Sequence, residues 1–300
     1  MNFARGSRDH EQLFGVAYRM LGSAHDAEDA VQDAVVRWQL LTDGERAEIR
    51  EPLAWMTRVV SRICLDQLGS ARARRESYAG IWLPEPVPGT VGPESIGRRP
   101  ADPADAVTLD ESVSVALLRA MESLTPGERV ALILHDVFGV PFAEIGDIVG
   151  RSPDACRQLA STARRHVRAA PRFQADDAQR RRAVLAFSEA CTTGDLEALL
   201  RVLAPDVVSR ADGAGMVGIA RVPVVGAERV AKYLLGIVAV SEAQGRPFST
   251  RFETVNNRTG LVIVADEQVI AVLDLGVEDG RVREIAIIMA PDKLRSWATS

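Results

Sequence analysis

Residues 141–168 read PFAEIGDIVGRSPDACRQLASTARRHVR, and this stretch predicts a helix-turn-helix. Phe142, Ile145, Ile148 and Val149 recur at i, i+3, i+6 and i+7, which is one face of a short helix. Gly150 suits the left-handed conformation that closes a helix. Ser152 then offers an N-cap hydroxyl, and Pro153 a pre-set φ at the first helical position. The second helix carries Arg157, Gln158, Ser161, Arg164 and Arg165 on its polar faces. Arg and Gln pair bidentately with base edges in the major groove, and further arginines suit phosphates. DNA is therefore the first partner to consider. Many helix pairs with a glycine turn are purely structural, so the rest of the chain has to decide.

Three hundred residues are enough for two or three domains. A chain that is 47% hydrophobic and 26% charged has an ordinary globular composition. No apolar run is long enough for a transmembrane helix, so no membrane partner is expected. The start, MNFARGSRDHEQLF, lacks the apolar core of a signal peptide, and the expected location is the cytoplasm. Cys64, Cys156 and Cys191 are far apart and odd in number, which fits neither a disulfide framework nor a zinc site. Buried structural thiols are expected, with no metal and no cofactor. The net charge of −5 argues against a protein that coats DNA by itself, because non-specific affinity is mostly phosphate neutralisation. Local basic patches at Arg72, Arg74 and Arg75 and at 157–172 suggest DNA binding that needs a partner.

Upstream, residues 8–76 read as helical. Leu13, Val16, Ala17, Met20 and Leu21 form one apolar stripe, and Ala27, Ala30, Val31, Ala34, Val35 and Trp38 a second. Opposite the second stripe lie Asp26, Asp29, Gln32 and Asp33, which spacing alone would make a solvated acidic face. A third stripe, Leu53, Met56, Val59, Val60, Ile63 and Cys64, runs beside Arg58 and Arg62. Residues 77–105 are rich in Pro and Gly and read as a linker. Within it, the WLPEP run at 82–86 stands out, since a solvated linker has little use for Trp82. That run suits either an extended segment docked on a groove or a tuck into the nearest core. Residues 106–172 are helical again, with Val113, Leu117, Leu118, Met121 and Leu124 as a stripe. Thr125-Pro126-Gly127-Glu128 forms a capping box that opens a helix running to Phe138.

After a polar junction at 171–182 the character changes. Residues 183–204 suggest two helices around Thr193-Gly194-Asp195, and 227–240 another. Then come the β-branched runs FETVNN, LVIVA, VIAVLDLGV and VREIAIIM, broken at Asn256-Asn257, Asp266-Glu267 and Asp279-Gly280. Helices followed by strands imply a separate α+β domain over 178–297.

Two helical modules, the second ending in a helix-turn-helix, resemble bacterial sigma factors of the extracytoplasmic-function (ECF) type. The stretches that carry the resemblance are LFGVAYRMLGSAHDAEDAVQDAVVRW (13–38), PLAWMTRVVSRICLDQLGSARARRE (52–76) and LTPGERVALILHDVFGVPFAEIGDIVGRSPDACRQLASTARR (124–165). They are similar to regions 2.1–2.2, 2.3–2.4 and 4, in that order. The remainder resembles the SnoaL-like, NTF2-fold extension of the ECF41 (SigJ-like) branch. WLPEP matches its linker motif. Asp212-Gly213-Ala214-Gly215 is similar to its DGGG motif, with Ala214 for a glycine. Ala290-Pro291-Asp292-Lys293-Leu294 is similar to its NPDKL tail, with Ala290 for Asn. The implied architecture is an all-α pair of sigma-2 and sigma-4 modules followed by an α+β NTF2-like, SnoaL-like cone domain.

The resemblance implies a transcription initiation factor whose partners are core RNA polymerase and promoter DNA. Asp26, Asp29, Gln32 and Asp33 would meet the coiled coil of the polymerase β′ subunit, and region 4 the β flap. Trp55, Arg58, Arg62, Asp66, Arg72, Arg74 and Arg75 lie in the stretch that reads the melted −10 element, with loop 42–51 as the lip of a base pocket. From the residues alone, Trp55 suits a core position as well as a stacking platform, and Arg62 and Asp66 suit a local i, i+4 pair. Arg157, Gln158 and Ser161 would read base edges of the −35 element, with Ser152, Arg164 and Arg165 on phosphates. Trp82, Pro84, Asp212, Gly213, Gly215, Asp292 and Lys293 would form a regulatory contact between the linker and the extension, which modulates activity in cis. An unidentified small ligand in the cone is also allowed for. All four histidines precede residue 178, so acid–base catalysis there would rest on Asp212, Asp274 or Glu284 with Tyr233 or Lys232, and no enzyme is expected. A free-standing helix-turn-helix regulator with a ligand-sensing domain is the alternative, although it would have no use for residues 13–76.

Overall fold

A computed structural model of the chain describes residues 3–76, 78–89, 91, 113–168, 175–216 and 218–297, with the backbone alone over 70–76. Most of the expected 77–105 linker, and residues 171–174 of the second junction, lie outside the described residues. The chain divides into two compact units. One comprises residues 1–77 and 91–170, the other 78–90 and 171–300. Segment 78–89 therefore belongs with the C-terminal domain rather than serving as a free tether.

The first unit is helical. α1 (Arg8–Leu21) is capped by Ser7, whose hydroxyl accepts from the His10 amide, and ends at Gly22 with φ +69°. Ser23 at once caps α2 (Ala24–Leu40) in the same way, so two residues turn the chain. α4 (Pro52–Glu76) closes this three-helix group. Leu13, Val16, Met20, Ala27, Val31, Met56, Val60 and Ile63 are buried there, which follows the apolar stripes. Residues 42–51, expected to form a loop, instead contain α3 (Asp43–Glu48). Thr42 and Glu45 cap it reciprocally, a local signal sufficient to start a helix without burying any residue.

The rest of this unit is α5 (Val115–Ala120), α6 (Pro126–Leu132), α7 (Phe142–Val149) and α8 (Pro153–Arg168). The Thr125–Glu128 capping box opens α6, but the helix does not run evenly to Phe138. Residues Ile133–Val137 widen into a π turn, which aims Asp136 inward. α4 packs on both α6 and α7, and Arg62 of α4 donates to the Asp147 carbonyl of α7 at 2.8 Å. No helix among the described residues is long and apolar enough to cross a membrane.

The second unit is a sheet with helices on one face. α9 (Asp177–Thr193) starts inside the expected polar junction, capped by Asp176, and ends at Gly194. Arg180 is buried and donates to the Leu275 carbonyl, so this part of the junction is a core element. Asp195 caps α10 (Leu196–Val202), and α11 is Ala227–Ala243. The strands are β1 (Leu203–Asp212), β2 (Val224–Val225), β3 (Ser249–Val255), β4 (Arg258–Ala265), β5 (Gln268–Glu278) and β6 (Arg281–Ile288). Their order is β2-β1-β6-β5-β4-β3, with β1 parallel to β6 and the other pairs antiparallel. The turns Asn256-Asn257, Asp266-Glu267 and Asp279-Gly280 hold both residues at positive φ. That is the mirror-image turn whose twist matches a hairpin. β1 is not apparent in the sequence, because Pro205 and Asp206 interrupt its alternation and the ladder shifts register there. Phe187, Val207, Val230, Leu234, Leu273, Leu275 and Ile285 form the core between helices and sheet. Burial pushes the Cys191 thiol up to about 12 and Cys64 higher still, in keeping with inert structural thiols.

Candidate nucleic-acid interface and the Asp212 junction

The helix-turn-helix is built on glycine. Gly150 has φ +71° and donates to the Gly146 carbonyl at 2.9 Å, as does Arg151 at 3.1 Å. Gly146 has no room for a side chain, since a Cβ would stand 2.6 Å from the Arg151 carbonyl oxygen. The Ser152 hydroxyl accepts from the Ala155 amide at 3.3 Å and so caps α8. Cys156, Ala160, Ala163 and Val167 face the core, while Arg157, Gln158, Ser161 and Arg165 are exposed on the opposite side. Arg157 pairs with Asp154 and lies 5.8 Å over the Phe142 ring.

Arg164 departs from its expected place on phosphate. It forms a two-pronged ion pair with buried Asp136, at 2.7 and 2.6 Å. This hydrogen-bonded pairing raises the guanidinium above its usual pKa. A planar fork matched to a carboxylate that has left water is stronger than any contact Arg164 would keep with solvent. Its work is to fasten α8 to the π turn.

On α2, Asp29, Gln32 and Asp33 are exposed and Asp26 is half-buried. The same face continues into two apolar residues that sequence reading passed over, Val36 and Leu40, the latter 78% exposed. Positions 26, 29, 33, 36 and 40 alternate steps of three and four, the a/d seam of a coiled-coil helix. That spacing was visible in the sequence but masked by the stronger stripe around Val31.

On α4, Trp55 packs edge-on against Trp38 at 5.4 Å, and Trp38 against Phe3 at 5.7 Å. Trp55 is thus half-buried in an aromatic cluster rather than standing free. Arg62 reaches α7 instead of Asp66, which is exposed. Arg58 is half-buried, and its Nε atom has no hydrogen-bond partner among the described residues. The side chains of Arg72, Arg74 and Arg75 lie outside the described residues.

In the second unit, the Asp212 carboxylate gathers four donors among the described residues. Tyr78 Oη donates to it at 2.6 Å, the Leu83 amide at 2.8 Å, Lys293 Nζ at 2.6 Å and the Ala214 amide at 3.3 Å. Lys293 also donates to the Leu83 carbonyl and lies 4.2 Å over the Trp82 ring and 5.1 Å from that of Tyr78. Burial and the bond to Asp212 both push the Tyr78 phenol up. Gly213 and Gly215 shape the turn. A Cβ would stand 3.1 Å from Ile219 at the first and 3.1 Å from Ala79 at the second, where φ is +82°. Further along, Pro84 is buried, Trp297 Nε1 donates to the Pro86 carbonyl at 2.9 Å, and Val87 and Asn256 exchange two bonds. Asp292 is exposed and pairs with Arg295 three residues on, and its charge helps push the Tyr78 phenol up.

The chain matches the family model for Sigma-70 region 2 over residues 7–74 and the model for Sigma-70, region 4 over residues 114–167. It is 41% identical to the ECF RNA polymerase sigma factor SigJ of Mycobacterium tuberculosis, across 76% of this chain and 70% of that protein. It is 35% identical to a probable ECF RNA polymerase sigma factor, SigI, of the same organism, across 94% and 91%. The crystal structure of Mycobacterium tuberculosis SigJ superposes with a TM-score of 0.72 at 31% identity, covering 96% of each chain. These likenesses span both the helical modules and the helix-and-sheet domain, and they do not favour a free-standing regulator. The chain belongs to the ECF RNA polymerase sigma factors, which work with core RNA polymerase on promoter DNA.

Proposed function

We propose that the three surfaces divide the work of initiation as follows. The exposed face of α2, acidic at Asp26, Asp29, Gln32 and Asp33 and apolar at Val36 and Leu40, docks on the coiled coil of the β′ subunit. Its carboxylates steer the encounter, and its apolar end supplies buried area. α4 and the preceding α3 receive the melted −10 strand, with Arg58, Arg62, Asp66, Arg72, Arg74 and Arg75 along it and the Trp38–Trp55 pair at its edge. α8 enters the major groove at the −35 element with Arg157, Gln158 and Ser161 over base edges, Ser152 and Arg165 beside phosphates, and region 4 seated on the β flap. Action on core polymerase places the protein in the cytoplasm.

The C-terminal domain is a regulatory module in cis, not a catalyst. The observation that carries this is the Asp212 junction. A buried aspartate and a lysine from the far end of the chain grip the 82–86 segment, which connects regions 2 and 4 in the sequence. Holding the connector sets the freedom that the two DNA-binding modules have. Run-off transcription with core polymerase, comparing the full chain with a 1–175 truncation, tests the whole reading. A transcript from either, at unequal yield, is expected. Equal yields, together with an unaltered W82A/K293A double variant, would remove the regulatory role. Silence from both, with duplex DNA bound in the absence of polymerase, would overturn the division of surfaces.

A further inference from the structure

We propose that Asp154 determines specificity in −35 recognition, accepting a hydrogen bond from a cytosine N4 amino group next to a guanine taken by Arg157. This rests on α8 being the base-reading helix, as argued under the preceding heading. Asp154 is 87% exposed by side chain and sits in the first turn of α8, the part of such a helix that meets base edges. It shares the exposed face of Arg157, Gln158 and Ser161. Its carboxylate pairs with the Arg157 guanidinium, whose carbon lies 5.8 Å over the Phe142 ring. Phe142 in turn stacks on His135 at 3.9 Å, and His135 Nδ1 is 3.1 Å from the Val140 carbonyl. Arg157 is thus held from two sides before DNA arrives.

An ion pair this exposed contributes little to stability, so its use is orientation. One guanidinium N–H on Asp154 leaves the fork's other donors for guanine O6 and N7. A carboxylate pointed at a duplex is repelled by phosphate but is favourable over the groove floor, where cytosine offers an amino donor. Asp154 is not needed as the helix cap, since Ser152 already fills that place. A simple first-turn acid acting on the helix dipole would be blind to base sequence.

The test is selection from a duplex library randomised through the −35 element, with holoenzyme assembled from core polymerase and the full chain, D154N, D154A or R157A. For D154A the preference at one cytosine should fall roughly 5- to 100-fold, and for D154N by less, since the amide oxygen still accepts. The neighbouring guanine preference should weaken, and all other positions should hold. R157A should lose the guanine. A uniform fall in affinity across all sequences for D154A, or unchanged preferences while R157A shifts one position, would overturn the assignment to Asp154. Unchanged preferences in R157A as well would instead sink the use of α8 as the reading helix. All these positions are exposed, so the variants should fold, which circular dichroism checks.

Discussion

At the scale of single residues, the decisive groups are charged side chains that have left water. Lys293 and Asp212 are almost wholly buried, with side-chain exposures of 13% and 0%. Replacing Lys293 by Met leaves a buried carboxylate with its cation gone, which should destabilise the C-terminal domain by about 3–5 kcal/mol. Urea unfolding of the full chain measures this, and a loss below about 1 kcal/mol would mean that Asp212 is hydrated after all. Arg164 offers the opposite kind of test. Because Asp136 holds it, Arg164→Gln should lower stability while leaving the salt dependence of −35 duplex binding unchanged. A slope reduced by about one would instead make it a phosphate contact. Glu28 adds a pH term. A hydrogen bond from His10 and the charges of His10 and Arg5 hold its carboxyl below the ordinary 4.5, against partial burial. The stabilisation is therefore complete above that value and is lost as pH falls through the lower folded-state value. In H10A that stabilisation should be missing at neutral pH, and the stability–pH profile should converge with the parent's as pH falls through the folded-state value.

At the scale of elements, the helix-turn-helix depends on two glycines for different reasons. Gly150 needs its left-handed φ but has open space around it. Gly150→Ala should therefore cost only the strain of that conformation, about 1–2 kcal/mol, and keep the turn. Gly146 is helical, yet a methyl there would collide with the Arg151 carbonyl. Gly146→Ala should shift the turn, tilt α8 and abolish duplex binding, even where circular dichroism shows the helices intact. Electrophoretic mobility shift on a −35 duplex separates the two variants, and equal losses would refute the distinction.

At the scale of the molecule, the helical unit brings region 2 onto region 4 through the α4–α7 contact that Arg62 seals. A −35 duplex and a melted −10 strand more than one duplex turn apart, at roughly 34 Å per turn, do not suit modules that touch. Dye pairs at Asp66 and Asp147, both exposed, should therefore move apart when core polymerase is added. An unchanged transfer efficiency would show that the contact survives in holoenzyme.

Local chemistry alone determined much of this protein. The capping box at Thr125, the Gly150 turn, the helix stripes and the three hairpin turns are written within a few residues of one another. They were legible because caps, periodicity and left-handed turns are short-range effects. The exposed spacing of Asp29, Asp33, Val36 and Leu40 was legible in principle and overlooked in favour of a stronger pattern. Other features depend on partners distant in sequence. Arg164 reads as a DNA contact until the π turn presents Asp136, 28 residues away. Arg180 reads as junction until the Leu275 carbonyl claims it. β1 has no alternation to announce it and exists because β6 pairs with it. The linker motif reads as a tether until Lys293, 210 residues on, closes over Leu83. Burial of charge is set by what packs against it, and only the tertiary structure brings those groups together.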